Sequence, residues 1–249
     1  MVGGFRLKHS FAVPFVFAFC VCLLFSGCGA KENGTLCSAK EQSIEDAITA
    51  IRVDWISGDI QILRSKDNYI RIVQSAPENF PKKKLFIYSI KDGVLTITDK
   101  NKTDLGFSTS TNLELYCPDK DFDSISINCT NGKIEGKGLH TKSIDVKSTS
   151  GDTNISGIFE TMNLNNHNGD TKIFCNQMPK ALTSTTTVGN VVLNLPQNDG
   201  FTLSFDSTVG NLKCDFALQQ NGENHIYKNG SSKITADITN GDLTIHQIS

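Results

Sequence analysis

Apolar and polar residues alternate along the chain around a repeated glycine. The glycine stands in eight equivalent places, at Gly58, Gly93, Gly132, Gly151, Gly169, Gly189, Gly210 and Gly241. Seven residues before it are Ile51, Phe86, Ile125, Ile144, Met162, Leu182, Leu203 and Ile234, and four residues after it are Ile62, Ile97, Gly136, Ile155, Ile173, Leu193, Cys214 and Ile245. Because side chains alternate between the two faces of a strand, each copy predicts a strand, a turn and a second strand with one face turned inward.

The residue after the glycine is Asp or Asn in most copies, as in HNGDTKI and TNGDLTI. Glycine reaches positive φ at no steric cost, and Asp or Asn can bond the local backbone of a turn. We therefore expect the eight glycines to be structural turn residues. Asparagine, which enters the left-handed region readily, should be tolerated at Gly169 better than valine. Gly157, outside the repeated position, should be less sensitive than Gly169 to valine.

The spacing of the glycines indicates a solenoid. From Gly132 to Gly210 the successive spacings are 19, 18, 20 and 21 residues. This period predicts an all-β fold, a single-stranded parallel β-solenoid whose coils have about 20 residues and lie about 4.8 Å apart. Wider gaps around residues 64–81, 98–110 and 219–232 predict inserted strands or hairpins. Antiparallel hairpins folded as a sandwich would show the same alternation and remain an alternative.

The N-terminus has the pattern of an export signal. Arg6, Lys8 and His9 precede an apolar run over residues 11–25, which is short for a membrane span. The run ends in LFSGC, which resembles the lipobox of bacterial lipoproteins and implies lipidation of Cys28. We therefore expect a lipoprotein signal peptide over residues 1–27, a lipidated tether over 28–43 and a β-solenoid domain over 44–249. An ordinary cleaved signal or an uncleaved anchor is the alternative.

Charge and cysteine content narrow the function classes. Removal of residues 1–27 leaves 22 basic and 26 acidic residues, which gives a net charge near −4. Such a mildly acidic surface does not favour binding to nucleic acid. Five cysteines follow Cys28, at Cys37, Cys117, Cys129, Cys175 and Cys214. Four of them lie in strand-like runs, where a free cysteine behaves as a small buried hydrophobe, and the sequence has no CxxC pair. We expect all five to be thiols.

Several stretches resemble a family of exported bacterial proteins named "putative adhesins". They are AIRVDWISGDIQI, NLELYCPDKDFDSISINCTNGKI, TVGNVVLNLP and ITADITNGDLTI, and the similarity covers residues 44–249. The resemblance implies a single β-solenoid domain at the cell envelope, outside the cytoplasm. It supplies no catalytic residue.

Reactive groups give little sign of catalysis. His140, His167, His225 and His246 have no partner at metal-ligand spacing, so solvated or locally bonded imidazoles are expected. Asp59, Asp152, Asp170 and Asp242 follow the repeated glycine and would line one edge of a solenoid. Calcium could bridge such carboxylates, but the nine-residue GGxGxD pattern is missing and Asn190 and Asn211 stand in the same column. Turn formation is the preferred interpretation.

The sequence thus predicts a non-enzymatic lipoprotein of the cell envelope, an adhesin-like binding or structural module without cofactor or metal. Its expected partners are the membrane, through lipid on Cys28, and an envelope protein or glycan ligand. A polysaccharide-active β-helix enzyme and an envelope-stress sensor component are the alternatives, the first only by analogy of fold.

Overall fold

The computed structural model describes residues 36–101 and 109–248. These residues form nineteen strands and one 3₁₀-helix, Lys82–Lys84. The strands are β1 Leu36–Ile44, β2 Ala50–Ser57, β3 Ile60–Ser65, β4 Ile70–Pro77, β5 Ile87–Lys91, β6 Val94–Thr98, β7 Asn112–Pro118, β8 Phe122–Asn131, β9 Ile134–Ser150, β10 Thr153–Asn168, β11 Thr171–Cys175, β12 Ala181–Val188, β13 Val191–Pro196, β14 Gly200–Val209, β15 Leu212–Cys214, β16 Gln219–Asn221, β17 Asn224–Lys228, β18 Ser232–Asn240 and β19 Leu243–Ile248. The predicted all-β class is confirmed.

The apolar columns of the repeat form one hydrophobic core. All eight residues seven positions before the glycine are at most 3% exposed. The residues five positions before it lie on the same face and are also buried in most coils, as Val53 and Val146 show. Tyr88 is the clear exception at 36% exposure, because its strand, β5, is an antiparallel addition at the edge of the sheet. The predicted inward alternation is otherwise confirmed.

Two parallel ladders run along the domain, one on each side of the glycine corner. The first ladder has the order β6, β2, β8, β9, β10, β12, β18, β14. The second has the order β7, β3, β9, β10, β11, β13, β19, β15. The long strands β9 and β10 take part in both ladders. Each coil therefore contributes one strand segment to each ladder.

The order of coils in space differs from their order in the chain. The sequence suggested that successive coils pair, but β18–β19 lies between β12–β13 and β14–β15. Likewise β2–β3 lies between β6–β7 and β8–β9. The inserted segments connect coils that are adjacent in space, whereas the short connections at residues 119–121 and 197–199 carry the chain past a neighbouring coil. β4 falls within the predicted insertion at 64–81, and the β16–β17 hairpin falls within that at 219–232, so both insertions are confirmed.

Antiparallel strands flank the ladders at the β6–β7 side. β4 pairs with β7, β1 pairs with β4, and β5 pairs with β6. Strand β1 corrects the predicted tether over 28–43, because residues 36–44 are already paired with β4. The sequence missed this strand because its side chains are mostly exposed and carry no apolar alternation. Cys28 and the predicted signal lie outside the described residues.

Candidate binding face

Six of the repeated glycines are stacked at one corner between the ladders. Gly58, Gly132, Gly151, Gly169, Gly189 and Gly241 have φ between 117° and 151°. A Cβ added at Gly169 would lie 2.3 Å from the carbonyl oxygen of Gly151, and one at Gly189 would lie 2.1 Å from that of Gly169. Only glycine fits, because neighbouring coils meet backbone to backbone and the φ is one that side chains disfavour.

This geometry changes two expectations. The φ of 142° at Gly169 lies beyond the left-handed region that asparagine enters, and any Cβ meets backbone, so asparagine gains no advantage there. Gly157 is no less constrained: its φ is 152°, and an added Cβ would lie 1.9 Å from the carbonyl oxygen of Leu139. It marks a second close approach of coils, where the β9–β10 register shifts.

Two of the eight glycines differ from these six. Gly93, with φ of 75°, belongs to the two-residue turn between antiparallel strands β5 and β6, and an added Cβ would face Thr49. Gly210 contacts Gly241 but is not among the positive-φ residues. The apolar spacing around Gly93 imitates the repeat, since a hairpin turn also needs glycine at positive φ.

The Asp and Asn residues after the glycines connect neighbouring coils. Asp152 Oδ1 accepts a hydrogen bond of 2.9 Å from the N–H of Asp170, and Asp170 Oδ1 accepts one of 2.7 Å from Asn190. Asn190 Oδ1 accepts from Asp242, and Asp242 Oδ1 accepts from Asn211, at 3.0 and 2.9 Å. We call this row the Asx ladder. The sequence predicted local turn bonding, whereas these side chains bond the backbone of the next coil.

Short polar side chains form ordered rows on the outer surface of the first ladder. In the row four positions before the glycine, the pairing register sets these residues side by side: Asp54, Asn128, Lys147, Asn165, Thr185, Asp237 and Asp206. Asn128 Nδ2 donates to Asp54 Oδ1 over 2.7 Å, and in the adjacent row Asn163 Nδ2 donates to Asp145 Oδ2 over 2.8 Å. We call this surface the polar face. It offers donors and acceptors repeated at the strand spacing of about 4.8 Å.

A groove lies at one end of the polar face. Its lining includes Asp54, Asp99, Asn128, Lys147 and His167, and its volume is about 540 Å³. Burial raises the pKa of Asp99, and hydrogen bonds from the N–H groups of Asn101 and Ile56 oppose that rise. The groove therefore holds the hydrogen-bonded carboxyl groups of Asp54 and Asp99 beside the exposed amine of Lys147. Its volume lies within the range of small-ligand sites.

Alternating charges border the polar face where its strands begin. Lys142 Nζ lies 2.6 Å from Asp123 Oδ1, and Lys180 Nζ lies 2.6 Å from Glu160 Oε2. The hydrogen bond with Asp123 raises the pKa of Lys142, and that with Lys180 lowers the pKa of Glu160. The sign of the charge alternates from one coil to the next, so each charged side chain at this border has a neighbour of opposite charge.

Histidines and cysteines are held in local structural contacts. His167 Nδ1 lies 3.0 Å from Thr187 Oγ1, and His246 Nδ1 lies 3.0 Å from Asp215 Oδ2. The five cysteines after Cys28 are free thiols, as predicted. Burial raises the pKa of Cys117 and of Cys175 to about 12. Within residues 36–101 and 109–248, no three His, Cys, Asp or Glu side chains converge as a metal site, and no helix is long and apolar enough to cross a membrane.

The glycine-centred ladders agree with a known family. Residues 48–159 and 122–246 match the Toastrack DUF4097 family, and the two matches together cover most of the chain. The chain belongs to the Toastrack family. No curated protein sequence matches it. The identification covers both ladders and leaves the described β1 strand outside the matched residues.

Solved structures resemble this chain at low sequence identity. A "putative cell adhesion protein" from Clostridium sporogenes is 15% identical, with a TM-score of 0.54, over 84% of this chain and 99% of its own. A "putative adhesin" from Bacteroides fragilis is 15% identical, with a TM-score of 0.45, over 84% and 96%. At such identity the likeness to the clostridial protein is evidence of fold alone.

Sequence reasoning found the glycine column and missed the polar face. The Thr and Asn residues of that face were visible as outward positions of the strands. The missing information was the order of coils, because β18 brings Asp237 between Thr185 and Asp206 from a distant part of the chain.

Proposed function

We propose that this Toastrack protein is a non-enzymatic β-solenoid binding module of the cell envelope, held at a membrane by lipid on Cys28. Its working surface is the polar face, which binds a hydroxyl-rich ligand such as an envelope glycan. The clostridial structure with this fold is named a "putative cell adhesion protein", which is consistent with a role at the bacterial surface.

The observation that carries the proposal is the regular array of exposed polar groups on the first ladder. Asn128, Lys147 and Asn165 stand side by side on three adjacent strands, and all three line the groove. Their side-chain amide and amine groups can form hydrogen bonds with the hydroxyl groups of a ligand, and this does not require the protein backbone to become more buried. A rigid sheet fixes the spacing of these groups, so little ordering entropy is lost on binding.

Retention on immobilised polysaccharides tests this surface. We expect the full chain, purified in detergent, to be retained by a subset of a panel of neutral and acidic polysaccharides, and the triple variant N128A/K147A/N165A to lose most of that retention. The matched control N154A/K172A/T244A alters three polar residues on the outer surface of the second ladder. Equal retention of the two triple variants, or none by the wild type, would contradict the proposal.

Lipid anchoring requires a separate experiment. The LFSGC sequence supports attachment at Cys28. Cells fed an alkyne-labelled fatty acid should label the wild-type chain, and the Cys28→Ala variant should remain unlabelled and lose detergent-phase partitioning. Labelling of the variant would show that the anchor is elsewhere. The polysaccharide experiment stays informative in that case, because it reports on the polar face alone.

A further inference from the structure

The outer coil formed by β14 and β15 has an open strand edge. Strand β17 pairs with residues 200–204 of β14 only. Among the residues that the structure describes, no strand pairs with the outer edge of residues 205–214. Their outward N–H and C=O groups can therefore accept another strand.

The core columns are incompletely covered at the same edge. Phe205, Leu212 and Cys214 are half-buried, whereas the equivalent Val146, Ile134 and Ile155 of two inner coils are at most 2% exposed. Val209 is 63% exposed. A solenoid coil buries its apolar columns against the next coil, so this end has the surface of a coil that lacks a neighbour.

We infer that this edge, residues 205–214, is the contact surface for a second copy of the chain, in a two-fold, end-to-end dimer. Every inner coil is covered by another coil of the same module. A coil of a second copy therefore has the strand edge and apolar columns that fit this end. The far end is flanked by antiparallel β4, β1 and β5, so it does not present the same edge. A two-fold contact needs only one self-complementary patch and closes the assembly at two copies.

An antiparallel register of the two edges is self-complementary. Placing Phe205 opposite the second copy's Cys214 also sets Ser207 opposite Leu212, so half-buried residues meet half-buried residues. The same register places the exposed Asp206 opposite the exposed Lys213, and symmetry makes this ion pair twice. Opposite charges facing across neighbouring strands stabilise such a pairing.

Charge at the edge favours this partner. Asp206 lies beside Asp237 in the strand register and makes no ion pair within the described part of the chain. Lys213 has only a long contact of 3.8 Å with Asp242. A second copy would supply a lysine to the paired carboxylates of Asp206 and Asp237, and an aspartate to Lys213.

Charge reversal tests the dimer in the full chain, purified in detergent and sized by light scattering. We expect a concentration-dependent dimer for the wild type and at least a tenfold weaker dimer for Asp206→Lys and for Lys213→Asp. The double variant D206K/K213D should recover dimerisation, since both exchanged pairs are again opposite in sign. Lys172→Asp, an equal change on β11, should leave the dimer unaffected.

A cross-link tests the register independently of affinity. Phe205→Cys should form an oxidant-dependent disulfide with Cys214 of the second copy, giving a covalent dimer that Phe205→Cys/Cys214→Ser does not form. A wild-type chain that stays monomeric at all concentrations, or a double charge reversal that fails to restore the dimer, would overturn the inference. A dimer that persists in both single charge variants would overturn the edge as its location.

Discussion

Asp170 joins its own coil to the next one: its Oδ1 accepts a 2.7 Å hydrogen bond from the backbone N–H of Asn190. The same bond recurs from Asp152 to Asp170 and from Asp242 to Asn211. The preference for Asp or Asn after the glycine therefore serves the contact between coils. The acceptor is the side-chain oxygen, and either residue can provide it.

The first prediction concerns this Asx ladder. Asp170→Ala should lower the free energy of unfolding by about 0.5 to 1.5 kcal/mol, because the hydrogen bond from the Asn190 N–H is lost together with the longer, exposed one from Asn190 Nδ2. Asp170→Asn should cost less, since an amide oxygen accepts the same bond. Urea midpoints of the two variants measure the difference. Equal losses would show that the carboxylate charge, and not the hydrogen bond, is what matters.

The second prediction concerns the glycine stack. Gly169→Ala and Gly169→Asn should both destabilise, with backbone strain alone costing about 1 to 3 kcal/mol. The added Cβ also meets the Gly151 carbonyl in both variants. Gly222→Ala is the control: its φ is 62° and an added Cβ has nothing within 4 Å. Thermal unfolding should rank both Gly169 variants below the control; a well-tolerated asparagine at 169 would contradict the stack geometry.

The third prediction concerns the core columns. Ile144→Ala and Leu203→Ala remove side chains with 0% exposure and should each cost about 2 to 5 kcal/mol. Lys172→Ala, on the outer side of β11, should change stability by less than about 0.5 kcal/mol. Denaturant midpoints provide the comparison. Similar losses of stability at all three positions would show that the inward and outward positions have been assigned to the wrong residues.

The fourth prediction concerns thiol reactivity and pH. Desolvation raises the pKa of Cys129 to about 11 and those of Cys117 and Cys175 to about 12. A raised pKa keeps each thiol protonated and unreactive throughout neutral and mildly alkaline pH. At pH 8, maleimide should therefore label exposed Cys37 in the native chain, and label these three only after denaturation. Peptide mass spectrometry identifies the labelled positions, and rapid native labelling of Cys175 would contradict its burial.

Local pattern was enough to predict the class of fold and the inward columns. Ile144 and Ile234 could be placed in the core from their distance to a glycine, because strand alternation is a local property. The order of coils could not be predicted in this way. Asp242 follows Asn211 in the chain but lies between Asn190 and Asn211 in space, and only the long-range pairing of β18 and β19 determines that. The polar face depends on the same pairing, so its composition could be read from the sequence but its arrangement could not.

Strands β18 and β19 also constrain how the chain reaches its folded state. They occupy a slot between two coils that both precede them in the chain, and they bond to strands on either side. Winding of one coil onto the last cannot complete the domain, because the slot stays unfilled until residues 232–248 enter it. Contacts of such long sequence separation are slow to form, so insertion of this segment is expected to be a late step that locks the preceding coils in register.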